Sequence, residues 1–144
     1  MQRVALGLLA AREHSREELA RKLLARGFAA DAVDGAIESL VNAGLIDEDR
    51  LADAYVSERL RKGFGPLRIR EELRAKGLSD ERIAPHIHLA QQDLLRRVAA
   101  AHDKRFGPGA PADAKERARR VRFLEQRGFP LDLVSRYLRG GAED

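Results

Sequence analysis

The chain has 144 residues, of which 44% are hydrophobic and 35% are charged, and it contains no cysteine. A chain of this length can bury a core without covalent cross-links. The lack of cysteine excludes disulfides, thiolate nucleophiles and cysteine-ligated zinc. The formal net charge is +4, and residues 89–144 account for it with twelve Lys and Arg against eight Asp and Glu. The C-terminal third is therefore the part expected to bind a polyanionic partner, and the alternative is that +4 on 144 residues is an ordinary surface charge.

Targeting segments are not expected. The apolar run at Val4–Ala11 stops at Arg12 and Glu13, which is too early for the hydrophobic region of a signal peptide. No apolar stretch approaches the roughly 20 residues that a membrane span needs. We therefore expect a cytoplasmic protein that makes no membrane contact.

The first segment, residues 1–46, is expected to contain three helices. The first helix covers about Val4–Arg12, and the capping box Ser15–Glu18 begins the second. Asp31 is a predicted N-cap for the third helix, and Gly44 marks its end.

The second segment, residues 47–89, repeats this order. Asp47 is expected to cap a helix over Glu48–Arg61, and Pro66 is expected in the first helical position of the next. Ser79 is a predicted cap for the third helix, in which Pro85 removes a hydrogen bond. We expect a kink there or a displaced helix start.

The third segment, residues 90–144, opens with a helix over about Gln91–Arg105. The run Gly107–Pro111 is predicted to be a loop. A second helix follows, and Pro130 is expected in the first helical position of the third.

A degenerate repeat links the three segments. Gly27, Gly77 and Gly128 are 50 and 51 residues apart. Each follows a basic residue, precedes a large apolar one and lies four residues after a leucine. The basic residues are Arg26, Lys76 and Arg127, and the leucines are Leu23, Leu73 and Leu124. Glycine in the left-handed conformation closes a helix, so each glycine predicts the turn between two helices of its unit.

No constellation of residues predicts catalysis or metal binding. His86 and His88 are two apart and diverge on a helix, so they do not share a metal; with His14 and His102 they are expected at the surface or at helix ends. The run Gly63–Pro66 lacks the strand and the Gly-Lys-Ser/Thr ending of a phosphate-binding loop. We therefore predict no catalytic residue, no metal site and no cofactor, and a protein that acts by binding.

Basic side chains are the remaining candidates for a site. The candidates in the second segment are Arg59, Lys62, Arg68, Arg70, Arg74 and Lys76, and those in the third are Lys115, Arg117, Arg119, Arg120 and Arg122. Like charges at a helix start repel each other and oppose the helix dipole, which favours a surface for phosphate or acidic groups. Ordinary solvated helix faces remain an alternative for each cluster.

Four stretches carry a resemblance to the RecX family, the bacterial regulators of the RecA recombinase. They are Ala5–Leu19, Gly44–Tyr55, Arg59–Gly77 and, more loosely, Val121–Phe129, within a similarity over residues 4–139. Arg59–Gly77 is the most specific, and it reads Arg-x-x-x-Gly-x-Gly-Pro-x-x-Ile-x-x-Glu-Leu-x-x-Lys-Gly.

The resemblance implies an all-α fold, an elongated curved array of three tandem three-helix repeats without cofactor or catalytic residue. It also implies docking in the groove of the RecA–single-stranded DNA filament, which limits filament growth, ATP hydrolysis and strand exchange and damps the SOS response. A monomer is expected, with weak direct binding of single- or double-stranded DNA. Two alternatives stay open, a helical repeat protein that binds DNA directly and a scaffold for another protein.

Overall fold

The computed structural model describes residues 1–140. These residues form nine α-helices and no β-strand. The helices are α1 (Gln2–Ala11), α2 (Arg16–Ala25), α3 (Ala30–Asn42), α4 (Glu48–Arg61), α5 (Pro66–Ala75), α6 (Asp80–Ile87), α7 (Gln91–Phe106), α8 (Ala114–Gln126) and α9 (Leu131–Leu138). They follow one another in three groups of three, so the predicted all-α class is confirmed.

The middle helix of each group ends in the same turn. Gly27, Gly77 and Gly128 have φ angles of 92°, 97° and 105°. In each turn, the backbone N–H of the residue after the glycine donates to the carbonyl of the leucine that lies four residues before the glycine, at 3.2–3.3 Å. This bond closes the helix in the Schellman pattern. The three leucines are also fully buried, so one position supplies both the turn acceptor and the core.

Most of the predicted helix starts are confirmed, and two differ. Ser15 makes both bonds of its capping box, and the side chains of Asp47 and Ser79 accept backbone N–H groups in the first turns of α4 and α6. Asp31 is not a cap, because α3 already begins at Ala30 after Ala29. Pro130 lies one residue before α9 rather than inside it.

Pro85 lies within α6. The helix begins at Asp80, directly after its cap, so of the two expected outcomes, a kink or a displaced start, the displaced start is wrong and the kink stays a prediction. Proline removes one hydrogen bond from a helix interior, and α6 ends at Ile87, two residues further on.

The chain divides into two compact units. Unit 1 comprises Met1–Tyr55 and Leu73–His86, and unit 2 comprises Val56–Glu72 and the described residues from Ile87 onward. The second helical group thus contributes to both units. The segment boundaries predicted above, and the elongated curved shape, stay predictions.

Each unit has its own apolar core. In unit 1, α2 and α3 pack through Leu19, Leu23, Val33 and Ile37, which are at most 5% exposed. In unit 2, α7, α8 and α9 pack around a cluster whose members are at most 9% exposed. That cluster consists of Val98, Ala101, Leu124, Phe129, Leu133 and Val134.

Candidate functional site

The predicted binding residues are distributed over both units. Unit 1 contains Arg74 and Lys76, and unit 2 contains the other nine. Arg74 donates to the carboxylate of Asp80 at 2.9 Å. Both unit 1 cations lie beside carboxylates of the same unit, so their charge is compensated there.

Lys76 belongs to a buried polar network at the start of α2. Glu18 accepts hydrogen bonds from the Ser15 backbone N–H at 3.0 Å and from the side chains of Arg12 and Lys76 at 3.2 Å. Burial acts to raise the pKa of Glu18, but these donors outweigh it and lower the pKa to about 2. The Lys76 ammonium also lies 5.0 Å from the ring centre of Tyr55. These contacts favour a structural role for Lys76.

In unit 2, three guanidinium groups surround the ring of Phe64. The central carbons of Arg59, Arg68 and Arg127 lie 3.8, 4.5 and 4.4 Å from the ring centre. Such stacking is favourable because the ring face is electron-rich. Glu72 pairs with Arg59 at 2.8 Å and with Arg68 at 3.3 Å. One ring and one carboxylate therefore hold several cations in fixed positions.

Backbone contacts bring this ring to the turn after α8. The Gly65 N–H donates to the Arg127 carbonyl at 2.7 Å, and the Leu67 N–H donates to the Gly128 carbonyl at 3.0 Å. These bonds satisfy donors at the start of α5 that no helix carbonyl can reach. A Cβ on Gly65 would lie 2.6 Å from the Gly128 backbone. The close approach explains why Gly65 is a glycine in the Gly63–Pro66 run.

The stacking continues beyond Phe64. Arg127 also lies 5.1 Å from the ring of Phe123, and Arg105 lies 5.5 and 5.9 Å from the rings of Phe123 and Phe106. The two rings meet edge to face at 5.4 Å. Arg119 and Arg120 each lie 5.1 Å from Phe106. We call this set the Arg–Phe cluster; it comprises Arg59, Phe64, Arg68, Arg105, Phe106, Arg119, Arg120, Phe123 and Arg127.

Two clefts open on the Arg–Phe cluster, with volumes of about 210 and 270 Å³. Charged, amide and aromatic side chains line both clefts. Phe123 and Arg127 are common to the two; Lys62, Lys104 and Arg105 line only the first, and Phe64, Arg68 and Gln126 line only the second. No carboxylate lines either cleft within the described residues. Cationic and aromatic walls of this kind suit phosphate groups and flat bases.

The predicted cluster on α8 divides into two parts. Glu116 pairs with Arg119 and Arg120 at 3.1 Å, and these cations lower the pKa of Glu116. Arg120 is only 12% exposed and donates to the Gly109 carbonyl at 2.9 Å, so it holds the loop before α8 in place. Within residues 1–140, Lys115, Arg117 and Arg122 form no ion pair. These three cations are the ones available to a partner.

Two histidines are buried: His14 lies at a helix end, one of the two predicted places, whereas His102 lies within α7, where the prediction is wrong. His14 is 1% exposed and His102 is 2% exposed. Lys22 donates to His14 Nε2 at 2.7 Å, and Arg120 donates to His102 Nε2 at 3.1 Å. Each ring therefore accepts at Nε2 and donates from Nδ1, to the Arg12 carbonyl and to Asp103 respectively. Both imidazoles are hydrogen-bonded parts of the interior.

Other kinds of site were searched for in the described part of the chain. No group of three or more histidine, aspartate or glutamate side chains there could hold a metal ion. Among the same residues, no helix is both long and apolar enough to cross a membrane.

Three cations of the basic surface were not predicted from the sequence. Lys104, Arg105 and Arg127 line the clefts but were not among the predicted candidates. Arg127 was noted only as the basic residue before a turn glycine. A usable signal was present, because Phe106 and Phe123 lie beside basic residues in the sequence.

Comparisons with known proteins identify the family. The family models for the first, second and third three-helix domains of RecX match residues 3–40, 47–84 and 91–138. The regulatory protein RecX of Pseudomonas savastanoi pv. phaseolicola is 42% identical over all of this chain and 93% of its own length. That of Halorhodospira halophila is 43% identical over 97% of this chain and 87% of its own length.

Solved structures agree in fold. The crystal structure of RecX from Lactobacillus salivarius superposes with a TM-score of 0.84 at 19% identity, covering 99% of this chain and 95% of that one. A second crystal structure of a regulatory protein RecX gives a TM-score of 0.77 at 20% identity, covering 93% of this chain and 71% of that one. With all three domains matched in order, the chain belongs to the RecX family of regulatory proteins.

Proposed function

We propose that this chain is a negative modulator of the RecA recombinase. It binds in the groove of the RecA–single-stranded DNA filament and limits filament growth, ATP hydrolysis and strand exchange, and it thereby modulates DNA repair and the SOS response in the cytoplasm. The observation that carries the proposal is the ordered match of all three RecX domains. That family is regulatory rather than enzymatic, so we assign no catalytic role to any residue.

The basic surface of unit 2 supports a polyanionic target. Residues 56–72 and 87–140 contain seventeen Lys and Arg and nine Asp and Glu, a net charge of +8. A surface of this sign attracts the phosphates of DNA and releases their counterions. The proposed contact residues are the basic residues that line the two clefts and, in addition, Arg59, Arg70, Lys115, Arg117 and Arg122. Arg74, Lys76, Arg119 and Arg120 line neither cleft, and they stay predicted contacts.

The test is the DNA-dependent ATPase of RecA with increasing, substoichiometric amounts of this protein. We expect ATP hydrolysis to fall well before one molecule is present per RecA protomer, because one bound molecule blocks growth of a whole filament. Unchanged hydrolysis at every ratio would contradict the proposal.

The second candidate function is direct DNA binding that needs no RecA. The Arg–Phe cluster favours it, because stacked arginines beside phenylalanine rings fit both phosphates and exposed bases. Titration of labelled DNA without RecA separates the two functions. Tight binding that weakens steeply with salt would favour this second function, whereas weak binding is what the filament proposal expects.

A further inference from the structure

A third cleft of unit 2 lies beside the first turns of α8, and we call it the α8 cleft. Its volume is about 480 Å³, and Ala110 and Ala112 of the preceding loop line part of it. The charged lining consists of four cations and two carboxylates, namely Lys115, Arg119, Arg120 and Arg122 with Asp113 and Glu116. The α8 cleft therefore has an excess of positive charge.

Both carboxylates of the α8 cleft are already engaged within the helix. Asp113 is the N-cap and accepts the Glu116 backbone N–H at 2.8 Å. Glu116 in turn pairs with Arg119 and Arg120 at 3.1 Å. The remaining two cations, Lys115 and Arg122, are exposed and form no ion pair within residues 1–140, so their charge is left for a ligand.

One edge of α8 connects this cleft with the two clefts of the Arg–Phe cluster. Lys115, Arg119, Arg122 and Gln126 follow one another at intervals of four, three and four residues, which places them on one side of the helix. All four are exposed, and Gln126 lines the second of the two clefts. The edge thus carries three cations and an amide from one end of the helix to the other.

The length of this edge sets the size of a ligand. At about 1.5 Å per residue, Lys115 and Gln126 are separated by roughly 16 Å along the helix. A strand in duplex form rises about 3.4 Å per nucleotide, and an extended strand rises more, so the edge spans about three to five nucleotides.

The far end of the edge has groups that suit an unpaired base. Phe64, Phe123 and Gln126 supply rings and an amide in the second cleft. Arg127 lies over both rings, and its guanidinium makes no hydrogen bond within the described residues, so its N–H groups remain for a phosphate. A base inside a duplex is stacked and paired, whereas a base of a single strand is free to enter such a cleft.

We propose that α8 is a track for single-stranded DNA, with phosphates along Lys115, Arg119 and Arg122 and an unstacked base in the second cleft. This inference rests on the proposed function, which supplies DNA as the polyanion. It adds the strandedness, the course and the length of the bound segment. Because the contacts are few and mostly exposed, binding to free DNA is expected to be weak.

The test measures binding to labelled oligo-dT without RecA, by fluorescence anisotropy across a salt series. Lys115→Ala/Arg122→Ala removes the two unpaired cations of the edge, and Arg61→Ala/Arg96→Ala is the control with the same loss of charge. Arg61 and Arg96 are 70% and 76% exposed, pair with carboxylates of their own helices and line none of the three clefts. We expect the first variant to bind roughly tenfold more weakly with a salt slope lower by roughly 1.5, and the control to change affinity less than about twofold.

Strand length tests the track itself. Affinity should rise steeply up to about five nucleotides and then only with the number of overlapping sites. The loss in Lys115→Ala/Arg122→Ala should be less than about twofold for a trinucleotide, measured by competition, because Arg127 and the second cleft hold a short strand at the far end. A duplex of the same length should bind more weakly than the single strand.

Equal losses in the two double variants, or an affinity that does not depend on strand length, would overturn the track. Duplex DNA bound as tightly as the single strand would assign the edge to duplex DNA and reject the proposal. The ATPase assay with RecA separates this inference from the proposed function. Unchanged ATP hydrolysis together with length-dependent strand binding would overturn the proposed function alone, whereas inhibition without that length dependence would overturn the track alone.

Discussion

Unit 1 and unit 2 are built from the same helix–glycine–helix corners, yet they differ in charge and in aromatic content. The described residues of unit 1 carry ten basic and twelve acidic side chains, a net charge of −2, against +8 in unit 2. Four of the five phenylalanines belong to unit 2. In unit 1 most cations pair with buried or neighbouring carboxylates, whereas in unit 2 six arginines lie over phenylalanine rings. The same repeat thus gives one unit whose charges nearly cancel and one with excess positive charge.

The largest expected difference is in the free energy of unfolding, between alanine substitutions at a turn glycine of each unit. A Cβ on Gly128 would lie 2.5 Å from the Arg68 Cβ, whereas a Cβ on Gly27 meets nothing within 4 Å. Both have positive φ angles, so alanine costs about 1–2 kcal/mol of backbone strain at each. Overpacking adds about 1–3 kcal/mol at Gly128 alone. Urea unfolding should show Gly128→Ala losing clearly more stability than Gly27→Ala, and equal losses would contradict the tight contact.

The next effect tests the buried network of unit 1. The pKa of Glu18 is lowered from 4.5 to about 2 in the folded chain, which corresponds to roughly 3 kcal/mol of stabilisation. Because the folded pKa is the lower one, this contribution is complete above pH 4.5 and is lost as the pH falls towards 2. Glu18→Gln should remove this stabilisation. The stability of the variant should then fall less steeply than that of the unchanged protein between pH 4.5 and 2.

The neighbouring Glu17 is the matched control for Glu18. Its side chain is 59% exposed and pairs with Arg21 on the helix surface. Glu17→Gln should change the free energy of unfolding by less than about 0.5 kcal/mol. Thermal unfolding between pH 2 and 7 measures both variants, and similar losses for the two would show that burial of Glu18 does not matter.

A third comparison uses the basic residue before the turn glycine in each unit. Arg127 lines both clefts and stacks on two rings, whereas Arg26 is exposed. Arg127→Ala should weaken binding to a labelled oligo-dT roughly tenfold and lower the salt slope by about 1. Arg26→Ala should leave both unchanged. Fluorescence anisotropy across a salt series provides the measurement, and an equal effect of the two variants would remove the distinction between the units.

The smallest effect concerns His86 in unit 1. Burial acts to lower the pKa of His86, but contacts with Asp49 and Asp53, at 3.1 and 2.6 Å, outweigh it and raise the pKa. Because the folded pKa is the higher one, the stabilisation is complete below pH 6.5 and is lost as the pH rises through the folded value. The stability of His86→Gln should not decrease in this way as the pH rises. We expect the decrease in the unchanged protein to be under about 1 kcal/mol. His88→Gln, at an exposed position, should behave like the unchanged protein in the same pH series.

Much of the fold could be predicted from the sequence because its signals are local. Helix caps and turn glycines act within a few residues, so Ser15, Asp47 and Gly27 were assigned correctly from their neighbours. Asp31 and Pro130 were placed one position or more away from their true roles. Several residues are acceptable near a helix start, and the choice among them depends on tertiary packing.

The candidate site was less predictable because it depends on contacts between distant parts of the chain. Phe64 and Arg127 are 63 residues apart in sequence, and the contact of Gly65 with Gly128 brings them together. Sequence patterns alone could not distinguish Arg120, which supports a loop, from Arg122, which forms no ion pair within the described residues. For the same reason, burial of His14 and His102 was missed, since their partners Lys22 and Arg120 lie 8 and 18 residues away along the chain.

We propose above that unit 2 acts on the filament, and its basic clefts are the proposed contact surface. The most direct test is RecA's ATPase on single-stranded DNA with the unchanged protein, Arg127→Ala and Arg26→Ala at matched substoichiometric amounts. We expect inhibition by the unchanged protein and by Arg26→Ala, and inhibition by Arg127→Ala only at roughly tenfold higher concentration. Equal inhibition by all three proteins would contradict the claim.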